Sequence, residues 1–217
     1  MIFFSLGLLL AVVLVFTVAA LTAGDQKLKI AATVNGTTIS MQRVDALLKH
    51  AQREAAREGK DFPAMGSGEY KFLQRQALDL IVYHEELDQS ASALGITVTE
   101  QQLEAGGRRL RESDAGGVSR DPGDETFWRE SFRGQFLYGR IFQRVTRGIQ
   151  VSDREIRADY RAHSDLYRLQ HRSFAQARRS IKANLILTKR NATMARWVAS
   201  MRKRFEAKIK YAKQFRA

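Results

Sequence analysis

Four histidines, His50, His84, His163 and His171, are the residues best suited to hold a metal or move a proton near neutral pH. Their separations match no metal-ligand spacing. His84 falls on an apolar helical stripe, where it reads as a satisfied core histidine. Glu85 and Glu86 form a carboxylate pair in sequence, but adjacent helical residues point apart and do not share a site. Gly106-Gly107 lacks the rest of any nucleotide fingerprint, and no Gly-x-x-x-x-Gly-Lys segment occurs that could cradle the phosphates of ATP. The chain has no cysteine, hence no thiol nucleophile and no disulfide framework. These residues predict no catalytic centre, no metal and no cofactor.

Two other sets of residues are suited to binding. The first is aromatic: Trp128, Phe132, Phe136, Tyr138 and Phe142 stand in one segment of about 125–147, with Phe127, Leu137, Ile141 and Val145. At 100° per residue they cover more than one helix face. Either that helix is buried on several sides, or part of its surface is left for a partner. The second set is cationic. The net charge is +13, and residues 168–217 hold 15 Lys or Arg against the single acid Glu206. Arg178, Arg179, Lys182, Arg202, Lys203 and Arg204 are the residues expected to face an acidic partner; the alternative is a solvated helix face.

The elements that would position these sets follow from local pattern. Thr33-Val34-Asn35-Gly36-Thr37-Thr38-Ile39 reads as a hairpin around a type I′ turn. Ala207-Lys208-Ile209-Lys210-Tyr211 alternates apolar and Lys residues as a half-buried strand does. A hairpin alone is marginal in water, so the distant strand is its natural partner. Ser40 is placed to cap a helix over 41–58, with the stripe Val44, Leu47, Leu48, Ala51 and Ala55. After a break at Gly59–Gly68, a helix over 69–94 carries Leu73, Ala77, Leu80, His84, Leu87, Ala91 and Leu94, and stops at Gly95. Thr99 with Gln102, and Ser152 with Glu155, repeat a stop, extended link and capping-box restart. Residues 113–124 read as a mobile, glycine-rich loop. Beyond Ser152 one helix carries Ile156, Tyr160 and Tyr167, and Ser173 caps a long basic one.

The run from residue 1 to 24 has no charged side chain and is long enough to span a bilayer. It reads as a transmembrane anchor or a signal sequence, followed by a single domain over 25–217. Lys27 and Lys29 follow the run and none precedes it, which by the positive-inside rule favours a cytoplasmic bulk; long domains translocate largely regardless of charge.

The order of hairpin, helix, the segment Ala77-Leu78-Asp79-Leu80-Ile81, the junction Leu94-Gly95-Ile96-Thr97-Val98-Thr99 and the closing basic helix and strand resembles the core of SurA-type and PrsA-type chaperones of the bacterial envelope. The resemblance covers about 31–60, 70–112, 124–168 and 173–215. It implies a mainly α, multi-helix chaperone core whose termini interlock through a small antiparallel β element, with hairpin about 33–39 and strand about 207–211. It also places the bulk outside the cytoplasm. Chains of this type usually carry a parvulin isomerase module between the two halves. Here only a few residues separate Arg168 from Phe174, whereas a small domain takes about a hundred. The resemblance therefore implies a parvulin-less core that is not an enzyme.

The expected function is ATP-independent binding of unfolded exported polypeptides at Trp128, Phe132, Phe136, Tyr138 and Phe142, with 113–124 as a movable edge. Burying about 400 Å² of apolar surface yields roughly 10 kcal/mol gross, and association costs cancel much of it, so capture should be micromolar and reversible. The alternative is a membrane-tethered scaffold whose basic block binds an anionic lipid or wall polymer. A cytoplasm-facing nucleic-acid binder has charge alone behind it.

Overall fold

The computed structural model describes residues 29–113 and 124–216. The leader over 1–24 and most of the 113–124 loop lie outside the described residues. Seven helices and one three-stranded sheet follow in the order β1 (Ile30–Val34), β2 (Thr37–Ser40), α1 (Met41–Arg57), α2 (Gly68–Ala93), α3 (Glu100–Ser113), α4 (Glu125–Val145), α5 (Asp153–Ala162), α6 (Ser164–Leu169), α7 (Phe174–Phe205) and β3 (Ile209–Tyr211). The fold is mainly α with a small antiparallel sheet.

The sheet joins the two ends of the chain. Asn35 and Gly36 take φ of 48° and 92°, as a type I′ turn requires, and return β2 antiparallel to β1. On the other side β3 pairs antiparallel with β1, Thr33 opposite Lys210 and Val34 opposite Ile209, giving the order β2-β1-β3. Asn35 N donates to Lys208 O at 2.9 Å, and Ala212 N donates to Ala31 O at 2.9 Å. The strand is shorter than its sequence pattern suggests, because Glu206–Lys208 completes a 3₁₀ turn at the end of α7.

The capping residues mostly act as their types dictate. Thr99 Oγ1 accepts from Gln102 N while Thr99 N donates to Gln102 Oε1. Ser152 with Glu155 and Ser173 with Gln176 form complete capping boxes, and Ser67 Oγ accepts from Tyr70 N. Gly95 and Gly148 stand at φ of 71° and 82°, the left-handed stop that L side chains resist. Three expectations need correction. Ser40 precedes α1 but its hydroxyl makes no capping bond; Met41 N donates to Lys29 O instead, so the hairpin sets the helix start. Leu80 is 46 % exposed, while Leu78, Ile81, Val82 and Leu87 are buried, because α2 is covered on a broader side by the sheet, α1, α4 and α7. The helix beyond Ser152 breaks at His163 into α5 and α6.

The main core gathers β1, β2, α1, α2, α4 and the C-terminal half of α7, with Ile39, Leu78, Ile81, Leu137, Ile141, Met194 and Met201 fully buried. A second, smaller cluster of Val151, Ile156, Ala177 and Ile181 holds α5 against the N-terminal half of α7. At 1.5 Å per residue α7 runs about 48 Å and links the two.

Candidate functional site

Helix α4 sits against α1, α2, α3 and α7; Leu137 and Ile141 bury its second half in the main core, and polar or small residues position its first half. At its start, fully buried Asp124 bonds His50 Nδ1 of α1 at 3.0 Å and pairs with Arg53. The His50 ring stacks on Phe127 with centroids 3.5 Å apart. One turn on, Glu130 pairs with Arg43 Nη2 at 2.7 Å and lies 3.8 Å from His84 Nδ1, an ion-pair distance too long for a hydrogen bond. Burial by itself would raise the Glu130 carboxyl; the His84 imidazole and the guanidinium groups of Arg43 and Arg133 outweigh it and hold the group below its ordinary value. Arg133 also bonds Asp88 of α2 at 3.0 Å. His84 is thus packed in the interior as its stripe position implied, with Gly134 directly beneath its ring.

Small residues set the close approaches. A Cβ at Gly106 would overlap the Phe132 ring, and one at Gly107 would stand 3.3 Å from the Arg129 backbone nitrogen. The Gly-Gly pair lets α3 lie directly on α4.

The five aromatics singled out from sequence do not form one open groove. Phe132 is half-buried beneath α3 and meets Phe136 at 5.6 Å, while the half-buried Trp128 ring stands edge-on to His50 of α1 at 5.7 Å and to Phe127 at 5.0 Å. Phe136 and Phe142 pack on the main core with Arg140 and Arg190 over their outer faces. Tyr138 is 41 % exposed and stacks beside Phe142. None of the five is fully buried.

The six basic residues are all exposed and fall into two patches. Arg178, Arg179 and Lys182 flank the start of α7, where Arg178 pairs with Asp153 at 2.7 Å. Arg202, Lys203 and Arg204 lie in its last turn, about 30 Å away along the axis.

Beside that last turn is a cleft of about 610 Å³ between α2, α7 and β3. Val82, Tyr83 and Glu86 of α2 line one side, Arg202 and Lys203 another, and Ile209 and Tyr211 the strand side. Arg75 sits over the Tyr211 ring at 4.1 Å and Arg202 over the Tyr83 ring at 5.1 Å. Tyr211 Oη donates to Asp79 Oδ1 at 3.1 Å. Glu86 is 4 % exposed and makes no hydrogen bond among the described residues. Burial pushes its carboxyl up, with Arg202 opposing. Sequence reasoning missed this cleft; the usable signal was Tyr83 and Glu86 at i and i+3 on α2.

Among the described residues no group of His, Asp and Glu could hold a metal ion, and no helix is long and apolar enough to cross a membrane. Residues 1–107 match the family profile described as the SurA-like N-terminal domain. Over that stretch, just under half of its length, the chain is similar to the SurA-like N-terminal domain. Within the described residues the match takes in the hairpin, α1, α2 and the first half of α3. Helix α4, the C-terminal half of α7 and β3 complete the sheet and main core around this SurA-like segment. Comparison with curated proteins gives no match.

Proposed function

We propose that this protein binds unfolded or nascent exported polypeptides without ATP, as a holdase or secretion-assisting chaperone of the cell envelope. The SurA-like N-terminal domain, with its chaperone-family relationship, carries the reading. The partly accessible aromatic row of α4 supports it: Tyr138 offers ring surface directly, and Phe132 would offer its ring wherever α3 lifts from its glycine seat. The protein works without an isomerase centre, and its N-terminal run tethers or exports it. Light scattering of a urea-denatured protein diluted into the purified chain, without ATP, tests this. Suppressed aggregation at both low and moderate salt is expected, since apolar contacts are not screened. Unchanged aggregation, or suppression that disappears with salt, overturns it.

A further inference from the structure

Helix α3 covers the first half of α4 through a narrow seat. Leu103, Gly106, Gly107 and Leu110 recur at three- and four-residue steps and make one face. The first three are buried and Leu110 is half-buried. Gly106 lies on the Phe132 ring, and Gly107 on the α4 backbone at Trp128 and Arg129. Among the described residues α3 packs chiefly on α4, and Leu103 belongs to neither apolar cluster. Exposed Glu100 and Glu104 reach across to Arg129, Glu104 at 3.9 Å; pairs so open to solvent add little. The helix is also weak in itself, since two adjacent glycines interrupt 14 residues, a length marginal for a helix standing alone. Helix α4 keeps its place by other means: Asp124 on His50, Glu130 on Arg43, Arg133 on Asp88, and Leu137 and Ile141 in the main core. Lifting α3 therefore uncovers the Phe132 ring, continuous with Phe136, on a helix that stays seated. It also leaves Arg129 with no acidic partner within salt-bridge distance among the described residues.

We propose that α3 is a displaceable cover, and that the α4 face beneath it, at Arg129 and Phe132, takes an amphipathic polypeptide segment as a helix in its place. Helix α3 is the template for that segment. It offers a leucine, a carboxylate beside it to meet Arg129, and small residues three and four positions on, where the incoming backbone passes close to the Phe132 ring and to α4. Helical spacing puts all of these on one side. A cover within the same chain competes with every client, so the apparent affinity falls with the fraction of molecules that are open. The inference rests on the polypeptide-binding reading above and adds its surface, its cover and the kind of segment bound.

The test is fluorescence anisotropy of a labelled peptide with the sequence of residues 97–113 against the full chain. Gly106→Val drives a side chain into Phe132 and unseats the chain's own α3, so this variant should bind the peptide at least about ten-fold more tightly than the parent. Leu103→Ala loosens the seat without a clash and should shift the affinity the same way, which keeps the test intact if Gly106→Val misfolds. Gly106→Val in the peptide, or Arg129→Glu added to the opened chain, should each raise Kd at least about ten-fold. The chain has no cysteine of its own, so E104C/R129C joined by a short bis-thiol linker ties α3 down. Joined, it should suppress aggregation of a urea-denatured protein less than the same variant left unjoined. Equal peptide affinity of the parent and both opened variants overturns the inference. Aggregation suppression indifferent to the linker also overturns it and leaves the chaperone reading standing. Peptide binding as expected, with no aggregation suppression by any variant, keeps the covered face and removes the chaperone reading.

Discussion

At the scale of residues, the positions that determine how α4 sits are a glycine and a carboxylate. Gly134 lies under His84, so Gly134→Ala must displace the imidazole and is expected to cost about 1–3 kcal/mol. Gly139, five residues on, has open space where a Cβ would stand, with nothing within 4 Å. There Ala should stabilise by about 0.5–1 kcal/mol through helix propensity alone. Urea unfolding of the two variants reads the opposite signs, and matching signs would refute the close packing. Glu130 gives a pH signature. Its carboxyl is held below the ordinary glutamate value in the folded chain, so its contribution is fully present above about pH 4.5 and is lost as pH falls through the lowered value. Glu130→Gln should be less stable than the parent at pH 7, with the difference shrinking toward about pH 3; denaturant midpoints against pH check this.

At the scale of elements, α5 and the first half of α7 hold together through four buried residues, far fewer than the main core. Ile156 is fully buried there, and Ile156→Ala should cost that region about 2–5 kcal/mol. Hydrogen exchange should then show lost protection over 153–186 while β1 and α2 keep theirs. Uniform loss across the chain would mean that the two clusters unfold as one. The capping box at Ser173 acts at the same scale: Ser173→Ala removes the acceptor for Gln176 N and should cost about 1 kcal/mol, seen as faster exchange in the first turn of α7.

At the scale of the whole molecule, the two ends of the sequence close one sheet. Removing residues 207–217 deletes β3, the buried Phe215 and the contact of Arg75 with the Phe215 carbonyl. The truncated chain should melt well below the parent, with the loss reaching α1 and α2, because β1 carries pairing on both sides. An unchanged melting temperature by circular dichroism would show that the sheet is incidental to the core.

Local physics fixed much of this from sequence alone. The Asn35-Gly36 turn, the capping boxes at Thr99, Ser152 and Ser173, the glycine stops at 95 and 148 and the pairing of a C-terminal strand with the hairpin were all legible, because each depends on a few neighbouring residues or on an alternation of period two. Periodicity did not reveal which side of α2 is broadest, since Leu80 and Leu78 differ only in what packs against them. It also gave no purpose to Gly106, Gly107 and Gly134, whose missing side chains matter only where another helix arrives. The basic residues read as one block along the chain, yet the rigid length of α7 separates them into two patches. Only the tertiary structure could place Glu86, Arg202 and Tyr211 around one cleft, because that neighbourhood joins side chains more than a hundred positions apart through the packing of α7 along α2, which no local pattern encodes.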